Sequence, residues 1–274
     1  MTMKIYILGT SGMLGRYVSK YLGQKYHIIE VNRDAIDAST VTKESLTAKL
    51  FHLGARKGDV IINCVGTIKP RVDELGDTNA IIVNSVFPRI LSKAAKELGL
   101  NMIHPTTDCV YSGLKGLYVE TDQYDVSDVY GMSKAMGEPS DCTVIRTSII
   151  GEEVGQKRSL VEWVKSNKNG EVFGFTNHYW NGVTCLQFAK ICEKIIDRHL
   201  YWHGTRHFHS NILNKKELVE TISNVYGLNI KVNPKETTTM CDRTLGTLYN
   251  MGILIPSLEQ QIIEMKEFSN ILYS

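Results

Sequence analysis

The chain has 274 residues, of which 43% are hydrophobic, so it can form one large domain or a large domain with a smaller appendage. Its 31 Lys and Arg residues against 29 Asp and Glu residues give a formal net charge of +2, and no run of like charges forms a basic stripe. This balance argues against nucleic acid as a partner.

Short apolar runs alternate with longer amphipathic ones over the first half of the chain. The runs KIYIL, HIIEV, DVIINCVG and NMIHP predict strands, and MLGRYVSKYLG, TKESLTAKLFHLG and NAIIVNSVFPRILSKAAKELG predict the helices between them. This alternation predicts an α/β fold with a Rossmann-like, doubly wound parallel sheet. In the third helix Gly99 is placed as a C-cap, and Pro88 is expected to kink or interrupt the helix.

The pattern loses its regularity after CTVIRTSIIG, which suggests a second region beginning near Gly151. Helices are predicted around SLVEWVKSN and LQFAKICEKIIDRHL, with a loop at GFTNHYWNG between them. We assign residues 1–150 to the sheet domain, which we expect also to receive residues 181–200. Residues 151–274 then form mainly a smaller substrate-binding region.

The cysteines and the N-terminal segment indicate the cellular compartment in which we expect the protein. The six cysteines are scattered and form no CxxC pair, a usage typical of reduced thiols. The start MTMKIYILGTSG contains only a short, mostly apolar run before glycine, which is too short for a signal-peptide core, and no stretch approaches a membrane span. We therefore expect a cytoplasmic protein, or one of the host cytoplasm if the chain is viral, with no membrane partner.

A glycine-rich loop directly follows the first predicted strand and opens the first helix. Gly9, Gly12 and Gly15 have the spacing G-x-x-G-x-x-G, which lets the backbone and a helix N-terminus approach a pyrophosphate. The second strand ends in EVNRD, where the side chain reads the adenosine ribose. Arg33 there favours NADP(H), so residues 1–150 are predicted to bind NADP. Glu30 is the competing indication of NAD(H), and a solvated surface charge is the alternative for Arg33.

A tyrosine and a lysine follow on one face of a predicted helix. Tyr130 and Lys134 stand four residues apart in VYGMSKAMGE, although other Tyr-x-x-x-Lys matches in the chain make the spacing alone weak. A lysine ammonium favours the phenolate and should bring the pKa of the tyrosine toward neutral pH. Thr107, which follows the strand NMIH, offers a hydroxyl that can hydrogen-bond a substrate carbonyl.

With these residues the chain resembles the extended short-chain dehydrogenase/reductase family, and within it the dTDP-4-dehydrorhamnose reductase group. The resemblance rests on GTSGMLG at 9–15, TTDCVYSG at 106–113 followed by GLYVETD, YGMSKAMGE at 130–138 and VIRTS at 144–148. It implies hydride transfer from NADPH to the C4 ketone of a nucleotide-linked 4-keto-6-deoxy sugar, in nucleotide-sugar biosynthesis. The resemblance also implies that Thr107 supplies the hydroxyl that binds the substrate carbonyl, that Tyr130 is the acid/base, and that Lys134 assists Tyr130.

The same resemblance implies a cofactor site built from the loops after the first three strands and from the helix with the tyrosine. NADPH is expected there rather than NADH. The residues are Gly9, Ser11, Gly12, Met13, Leu14, Arg33, Asp37, Ala38, Val65, Gly66, Thr67, Tyr130 and Lys134.

Cys109 stands where the rhamnose reductases usually carry a tyrosine. A cysteine at this place resembles GDP-L-fucose synthase, where it serves proton exchange beside the ketone, and plant and viral enzymes that form UDP-rhamnose share it. The resemblance implies epimerisation at C3 before reduction, with Cys109 as the base; a buried cysteine packing as a small hydrophobe is the alternative. For the proton on the opposite face, His178 is the first candidate and Lys165 the second.

A sugar nucleotide brings a diphosphate and a flat base, so the second region should offer cations and aromatic rings. Arg158, Trp180, Asn181 and Arg243 are the candidates, whereas Trp163 is expected in the core. UDP is the expected nucleotide, with dTDP and GDP as alternatives, and a homodimer is a possible assembly. The histidines of HGTRHFH are close in sequence but lack matching cysteines or carboxylates, so no metal site is predicted.

Within this group the chain is most similar to bacterial and giant-virus enzymes that lead to UDP-L-rhamnosamine or UDP-L-rhamnose. An alternative of another class is an NADP-binding regulatory subunit, similar to that of methionine adenosyltransferase. A dehydratase or C4 epimerase of the same superfamily is disfavoured, because such dehydratases usually place an acid pair after the catalytic Thr. Here Cys109 follows Asp108.

Overall fold

The central layer of the computed structural model, which describes residues 2–155 and 158–273, is a parallel six-stranded sheet. Its order is β2-β1-β3-β4-β5-β10. The described strands are β1 (Lys4–Leu8), β2 (His27–Val31), β3 (Val60–Asn63), β4 (Asn101–Thr106), β5 (Thr143–Arg146), β6 (Ile149–Ile150), β7 (Glu171–Phe175), β8 (His178–Trp180), β9 (Val183–Thr184), β10 (Gly204–His207), β11 (Leu213–Asn214), β12 (Lys231–Lys235) and β13 (Cys241–Asp242).

Helices cover both faces of this sheet. The described α-helices are α1 (Met13–Leu22), α2 (Lys43–His52), α3 (Lys69–Leu75), α4 (Asp77–Ile81), α5 (Phe87–Leu98), α6 (Val129–Met136), α7 (Leu160–Ser166), α8 (Cys185–Asp197), α9 (Lys215–Tyr226) and α10 (Leu258–Tyr273). None of the helices described is long and apolar enough to cross a membrane.

The sheet residues form two separate cores because successive side chains of a strand point to opposite faces. Ile5 and Ile7 of β1 pack with α1 and α8, whereas Tyr6 and Leu8 pack with α2 and α5. Both faces are apolar, as expected for a parallel sheet buried on both sides. The predicted doubly wound α/β sheet is confirmed.

The second region does not separate cleanly from the sheet at Gly151. Helix α8 packs on the sheet face with α1. Strand β10 (Gly204–His207) then pairs in parallel with β5 and completes the sheet from within the segment assigned to substrate binding. The rest of the second region forms a lobe in which α9 packs against the short sheets β7-β12 and β11-β8-β13, and its core continues onto α1 and α8 of the sheet domain through Tyr17 and Leu186.

The predicted helix containing Pro88 begins in an unusual way. A π-helical turn, Ile82–Val86, joins α4 to α5, and Pro88 follows in the first turn of α5, where its missing N–H costs little. Gly99 ends α5 in the left-handed conformation, with φ of 69°, as the C-cap prediction expected. The helix is therefore interrupted before the proline rather than at it.

Candidate functional site

One cavity of about 480 Å³ opens at the carboxyl ends of β1, β3 and β4, next to the point where the strand order reverses. Predicted cofactor and catalytic residues from four segments line it. These are Ser11, Gly12, Met13, Leu14, Val65, Gly66, Thr67, Thr107, Cys109, Tyr130 and Lys134. Arg16 of α1 and Arg71 of α3 line it as well; both lie in amphipathic helices, where the sequence gives no signal for them.

The glycine loop has the geometry of a dinucleotide cradle. Gly9 has a φ of 83°, which favours glycine, and a Cβ at Gly15 would lie 2.2 Å from the Gly9 carbonyl oxygen. Gly12 is the N-cap residue of α1, and no acidic side chain stands in the first turn of that helix. The helix N-terminus at the cavity wall therefore keeps free backbone N–H groups for an anion.

The end of β2 contains both residues proposed to choose between NADP and NAD. Glu30 accepts a hydrogen bond from the Ser19 hydroxyl of α1, so this carboxylate is already engaged. Arg33 is 78% exposed, and its Nε donates to an Asp37 carboxylate oxygen at 3.0 Å. Asp37 also accepts from the backbone and hydroxyl of Ser39, which hold the pKa of its carboxyl near 2.

Thr107, Tyr130 and Lys134 meet on the far side of the cavity. Thr107 follows β4 directly, and its hydroxyl accepts from the Cys109 N–H at 3.1 Å and donates to Asp108 Oδ1 at 3.1 Å. Tyr130 and Lys134 come from α6, whose N-cap Asp128 accepts from the Gly131 N–H. The Thr107 hydroxyl also acts on the Tyr130 phenol, whose pKa it lowers against the effect of burial.

Burial dominates the electrostatics of this group. It raises the pKa of the Tyr130 phenol above the ordinary value, and the neighbouring Cys109 thiol adds to that shift. It also lowers the pKa of Lys134 to about 8, against the opposing effect of Glu138. The pKa of Tyr130 is therefore raised and not brought toward neutral pH as the sequence suggested, because loss of solvent is the largest cause of its shift. Tyr130 is held as a protonated phenol.

Cys109 lies in the 3-10 turn Asp108–Val110 that begins the loop after β4. Its thiol lies 3.7 Å from Asp108 Oδ1, to which it donates. Burial raises the pKa of this thiol to about 12, the Asp108 carboxylate adds to the shift, and Arg243 opposes it. Cys109 therefore stays a thiol at neutral pH.

A buried ion pair holds the loop that contains Cys109. Arg146 at the end of β5 is 1% exposed and binds the Glu138 carboxylate through two nitrogens. Its guanidinium also donates to the hydroxyls of Tyr111 and Tyr124, which lie in the loop after β4. Since these partners leave neither charge exposed, the loop is anchored to the sheet beside the catalytic group.

Asn84, which the sequence did not single out, is hydrogen-bonded to two segments next to the cavity. Asn84, in the π-helical turn, is 1% exposed; its amide accepts from the Thr67 N–H at 2.8 Å and donates to the Thr67 carbonyl at 2.9 Å. The same amide nitrogen donates to the Ser133 hydroxyl of α6 at 3.1 Å. Asn84 thus joins the cofactor loop to the helix with Tyr130 and Lys134. A single asparagine within a predicted amphipathic helix gave no signal of this role.

The small sheet β11-β8-β13 of the second lobe contains His178, and Arg243 follows its last strand. His178 is in β8 and not in a loop as predicted; its Nε2 lies 2.7 Å from the Thr237 hydroxyl, and its ring stacks on Phe175. Burial lowers the pKa of His178, and nearby Lys215 and Arg243 lower it further. Arg243 Nε donates to the Tyr111 carbonyl at 2.8 Å.

The other predicted substrate residues have structural partners. Both amide atoms of Asn181 bind the Leu245 backbone, and Trp180 is 4% exposed in the core of the second lobe. Arg158 is ion-paired with Glu74 at 2.9 Å on the surface. Trp163 is 42% exposed, so its expected place in the core is wrong.

Lys165 and His207, one of the histidines of HGTRHFH, also have partners in the structure. Lys165 binds the carboxylates of Glu152 and Glu162, at 3.0 and 3.2 Å. His207 is 3% exposed and accepts from Arg146. Within the described ranges, no group of three or more His, Cys, Asp or Glu residues could hold a metal ion.

Comparisons with known proteins agree with this geometry. A family model described as the RmlD substrate binding domain matches residues 3–238. The dTDP-4-dehydrorhamnose reductase of Aggregatibacter actinomycetemcomitans is 28% identical over 219 residues, which cover 75% of this chain and 72% of that protein. With several further curated relatives, the alignment spans about half of the relative's length. The dTDP-4-dehydrorhamnose reductase of Bacillus anthracis, solved in complex with NADP, superposes with a TM-score of 0.81 at 18% identity, over 97% of this chain and 99% of that chain.

Proposed function

The chain belongs to the RmlD substrate-binding domain family, and from this membership we propose that it reduces the C4 ketone of a nucleotide-linked 4-keto-6-deoxy sugar with NADPH. The resemblance to dTDP-4-dehydrorhamnose reductases is confirmed by the family match and the relatives. The observation that carries the proposal is the shared cavity, in which the glycine loop faces Thr107, Tyr130 and Lys134.

The residues around the cavity fit a dinucleotide. Gly12 and Gly66 line it without side chains, and the N-terminus of α1 points its backbone N–H groups at it. NADPH rather than NADH is supported by Arg33, which is exposed at the end of β2, while Glu30 is engaged by Ser19. The B. anthracis relative was solved with NADP. When NADPH is bound it supplies a hydride.

The chain's own residues supply the proton. The Tyr130 phenol is protonated at neutral pH and donates its proton to the oxygen that the reduction leaves at C4. The Thr107 hydroxyl, which lines the same cavity as that phenol, holds the same oxygen in place. The Lys134 ammonium, with a pKa of about 8, stabilises the phenolate that remains and offers donors to hydroxyl groups in the cavity.

Epimerisation at C3 before reduction is the second part of the proposal. Cys109 lines the same cavity as Thr107 and Tyr130, so a thiolate there would lie beside a ketone bound to these two hydroxyls. The ketone acidifies the hydrogen on the neighbouring carbon, and hydroxyls aimed at its oxygen stabilise the enolate that forms. The nucleotide to test first is dTDP, because the relatives carry that name; UDP and a homodimer stay predictions.

The test is NADPH oxidation against a panel of dTDP-, UDP- and GDP-4-keto-6-deoxy sugars, with product configuration determined by NMR. We expect one sugar nucleotide to be reduced at C4 with inversion at C3. Tyr130→Phe should lower kcat by at least about 100-fold, as loss of a general acid does. No turnover on any member of the panel, together with a stoichiometric enzyme partner in a pull-down, would instead support the regulatory-subunit alternative.

A further inference from the structure

Two arginines in the cavity wall have no role in the proposed reaction. Arg16 follows the last glycine of the glycine loop in the first half of α1, and Arg71 lies in the first turn of α3, after the loop that follows β3. Both line the same cavity as Gly12 and Lys134. A guanidinium at a cavity wall is suited to bind a phosphate, because its planar N–H donors form paired hydrogen bonds with phosphate oxygens.

Neither arginine is neutralised by a carboxylate of the chain. Among the residues that the structure describes, the guanidinium groups of Arg16 and Arg71 form no ion pair and no hydrogen bond. Glu74, which stands one turn after Arg71 in α3, is bound by Arg158 at 2.9 Å instead. Arg16 is half-buried and Arg71 is exposed, so the two charges stand where the cavity meets solvent and are available to a ligand.

The two acids of the cavity wall have partners of their own. Glu152 is 3% exposed, and its carboxylate is bound by Lys165 at 3.0 Å and by hydroxyl groups of α1 and α10. The Glu153 carboxylate accepts from the backbone N–H groups of Arg158 and Ser159, at 2.6 and 2.7 Å. With these acids engaged, the two free guanidinium groups give the cavity wall a positive charge that favours an anionic ligand.

The places of the two arginines in the fold indicate which anion they bind. Side chains of an α-helix lean toward its N-terminus, so Arg16 extends back toward the free N–H groups at the start of α1. Strand β3, which leads to Arg71, pairs with β1 on the side opposite β2. Arg33, the residue proposed for the 2'-phosphate, follows β2, so Arg71 lies on the other side of the glycine loop from it.

We propose that Arg16 and Arg71 bind the diphosphate of the nicotinamide cofactor; this inference rests on the proposed function, in which the same cavity holds that cofactor. The diphosphate carries two negative charges, which the two guanidinium groups match. The N-terminus of α1 adds uncharged N–H donors to the same anion. Since NADPH and NADH share this diphosphate, the pair raises the affinity for both dinucleotides, and the choice between them stays with Arg33.

The experiment measures the binding of NADPH and of NADH to the full chain by titration calorimetry, without sugar nucleotide. The variants are Arg16→Met and Arg71→Met, which remove the charge, and Arg16→Lys and Arg71→Lys, which keep the charge without the paired donors. Lys20→Met is the matched control, because Lys20 stands one turn further along α1 and outside the described cavity lining. Arg33→Met serves as the comparison for the 2'-phosphate. Thermal unfolding without cofactor checks that each variant is folded.

We expect each Met variant to raise the Kd for NADPH and the Kd for NADH by the same factor, at least about tenfold, as loss of a charged hydrogen bond does. The Lys variants should recover part of this affinity. Added salt should weaken NADPH binding less in the Met variants than in wild type, since less charge is left to screen. Lys20→Met should bind both dinucleotides as wild type does, and Arg33→Met should lose affinity for NADPH alone.

Three outcomes would overturn the assignment. A Kd that is unchanged in either Met variant removes that arginine from the site. A loss confined to NADPH assigns the arginines to the 2'-phosphate, and a loss confined to the KM for the sugar nucleotide assigns them to the substrate. The proposed function fails separately: wild-type protein that binds NADPH but reduces no sugar of the panel is not this reductase, while the binding titrations still decide the role of the arginines.

Discussion

Lys134 is a charge that the fold buries at a cost, so its replacement should stabilise the protein while abolishing turnover. The side chain is 8% exposed, and burial lowers the pKa of its ammonium from 10.5 to about 8. A lysine with a lowered pKa in the folded state destabilises the fold while it is charged in both states, that is, below pH 8. As the pH rises from 8 toward 10.5 the unfolded chain alone holds the proton, and the penalty disappears.

The size of the effect follows from this difference. The interval between 10.5 and about 8, at about 1.4 kcal/mol for each pH unit, corresponds to a penalty of about 3 kcal/mol at pH 7. Lys134→Met removes the charge and keeps a side chain of similar length. It also removes the hydrogen bond from Nζ to the Pro105 carbonyl at 3.3 Å, which is worth about 1 kcal/mol. The net gain at pH 7 should therefore be about 2 kcal/mol.

The assay is urea unfolding of wild-type protein and Lys134→Met at pH 7 and at pH 10, with Lys216→Met as the control. We expect the free energy of unfolding of Lys134→Met to exceed that of wild type at pH 7 and to approach it at pH 10, where the wild-type lysine is neutral. The control should change little at either pH. A Lys134→Met protein that is less stable than wild type at pH 7 would refute the reasoning, since it would mean that the ammonium stabilises the fold.

Three further predictions concern the groups around the cavity. The pKa of the Cys109 thiol is about 12, so its thiolate fraction rises about tenfold per pH unit between pH 7 and pH 9. Deuterium exchange at C3 with NADP⁺ bound should therefore rise about 100-fold over this range. A flat pH profile would contradict the role of Cys109 as the base. Asn84→Ala leaves both Thr67 backbone groups without their partner. Urea unfolding should show that the free energy of unfolding falls by about 2 kcal/mol, and the KM for NADPH should rise. Unchanged stability would mean that the turn rearranges to satisfy Thr67. Arg146→Met leaves the Glu138 carboxylate buried and without its ion-pair partner, so the free energy of unfolding should fall by about 3–5 kcal/mol in thermal and urea unfolding. A fall of less than about 1 kcal/mol would contradict the structural role of this pair.

The local sequence pattern was sufficient to predict the strands next to the proposed cofactor site. The strands KIYIL and VIIN are short apolar runs followed by glycines or loops, and their period and flanks are visible in the chain itself. Strand β10 is different: GTRH has no apolar run, and it joins the sheet only because β5 presents an open edge to it. Its place depends on a partner 61 residues away in the register His207 to Arg146, which no local pattern contains.

The candidate site divides in the same way. The sequence singles out Thr107, Tyr130 and Lys134 through the resemblance of the motifs around them, and the structure brings these three residues to one cavity. Asn84 was not, because its role arises from hydrogen bonds to Thr67 and Ser133 that exist only in the folded chain. The protonation state of Tyr130 was also out of reach, since burial, which sets it, is a property of the folded chain.

Reduction and epimerisation make opposite demands on this cavity. Burial keeps Tyr130 protonated, which suits a group that must donate to the C4 oxygen, but the same burial keeps Cys109 protonated, which does not suit a base. Positive charge beside the thiol opposes this effect of burial, and in this fold it comes from the second lobe, through Arg243. The proton donor of the proposed reduction therefore lies in the sheet domain, whereas the proposed proton exchange at carbon draws on a charge of the second lobe as well. Changes in the second lobe that leave the Tyr130 site intact should consequently separate the two activities.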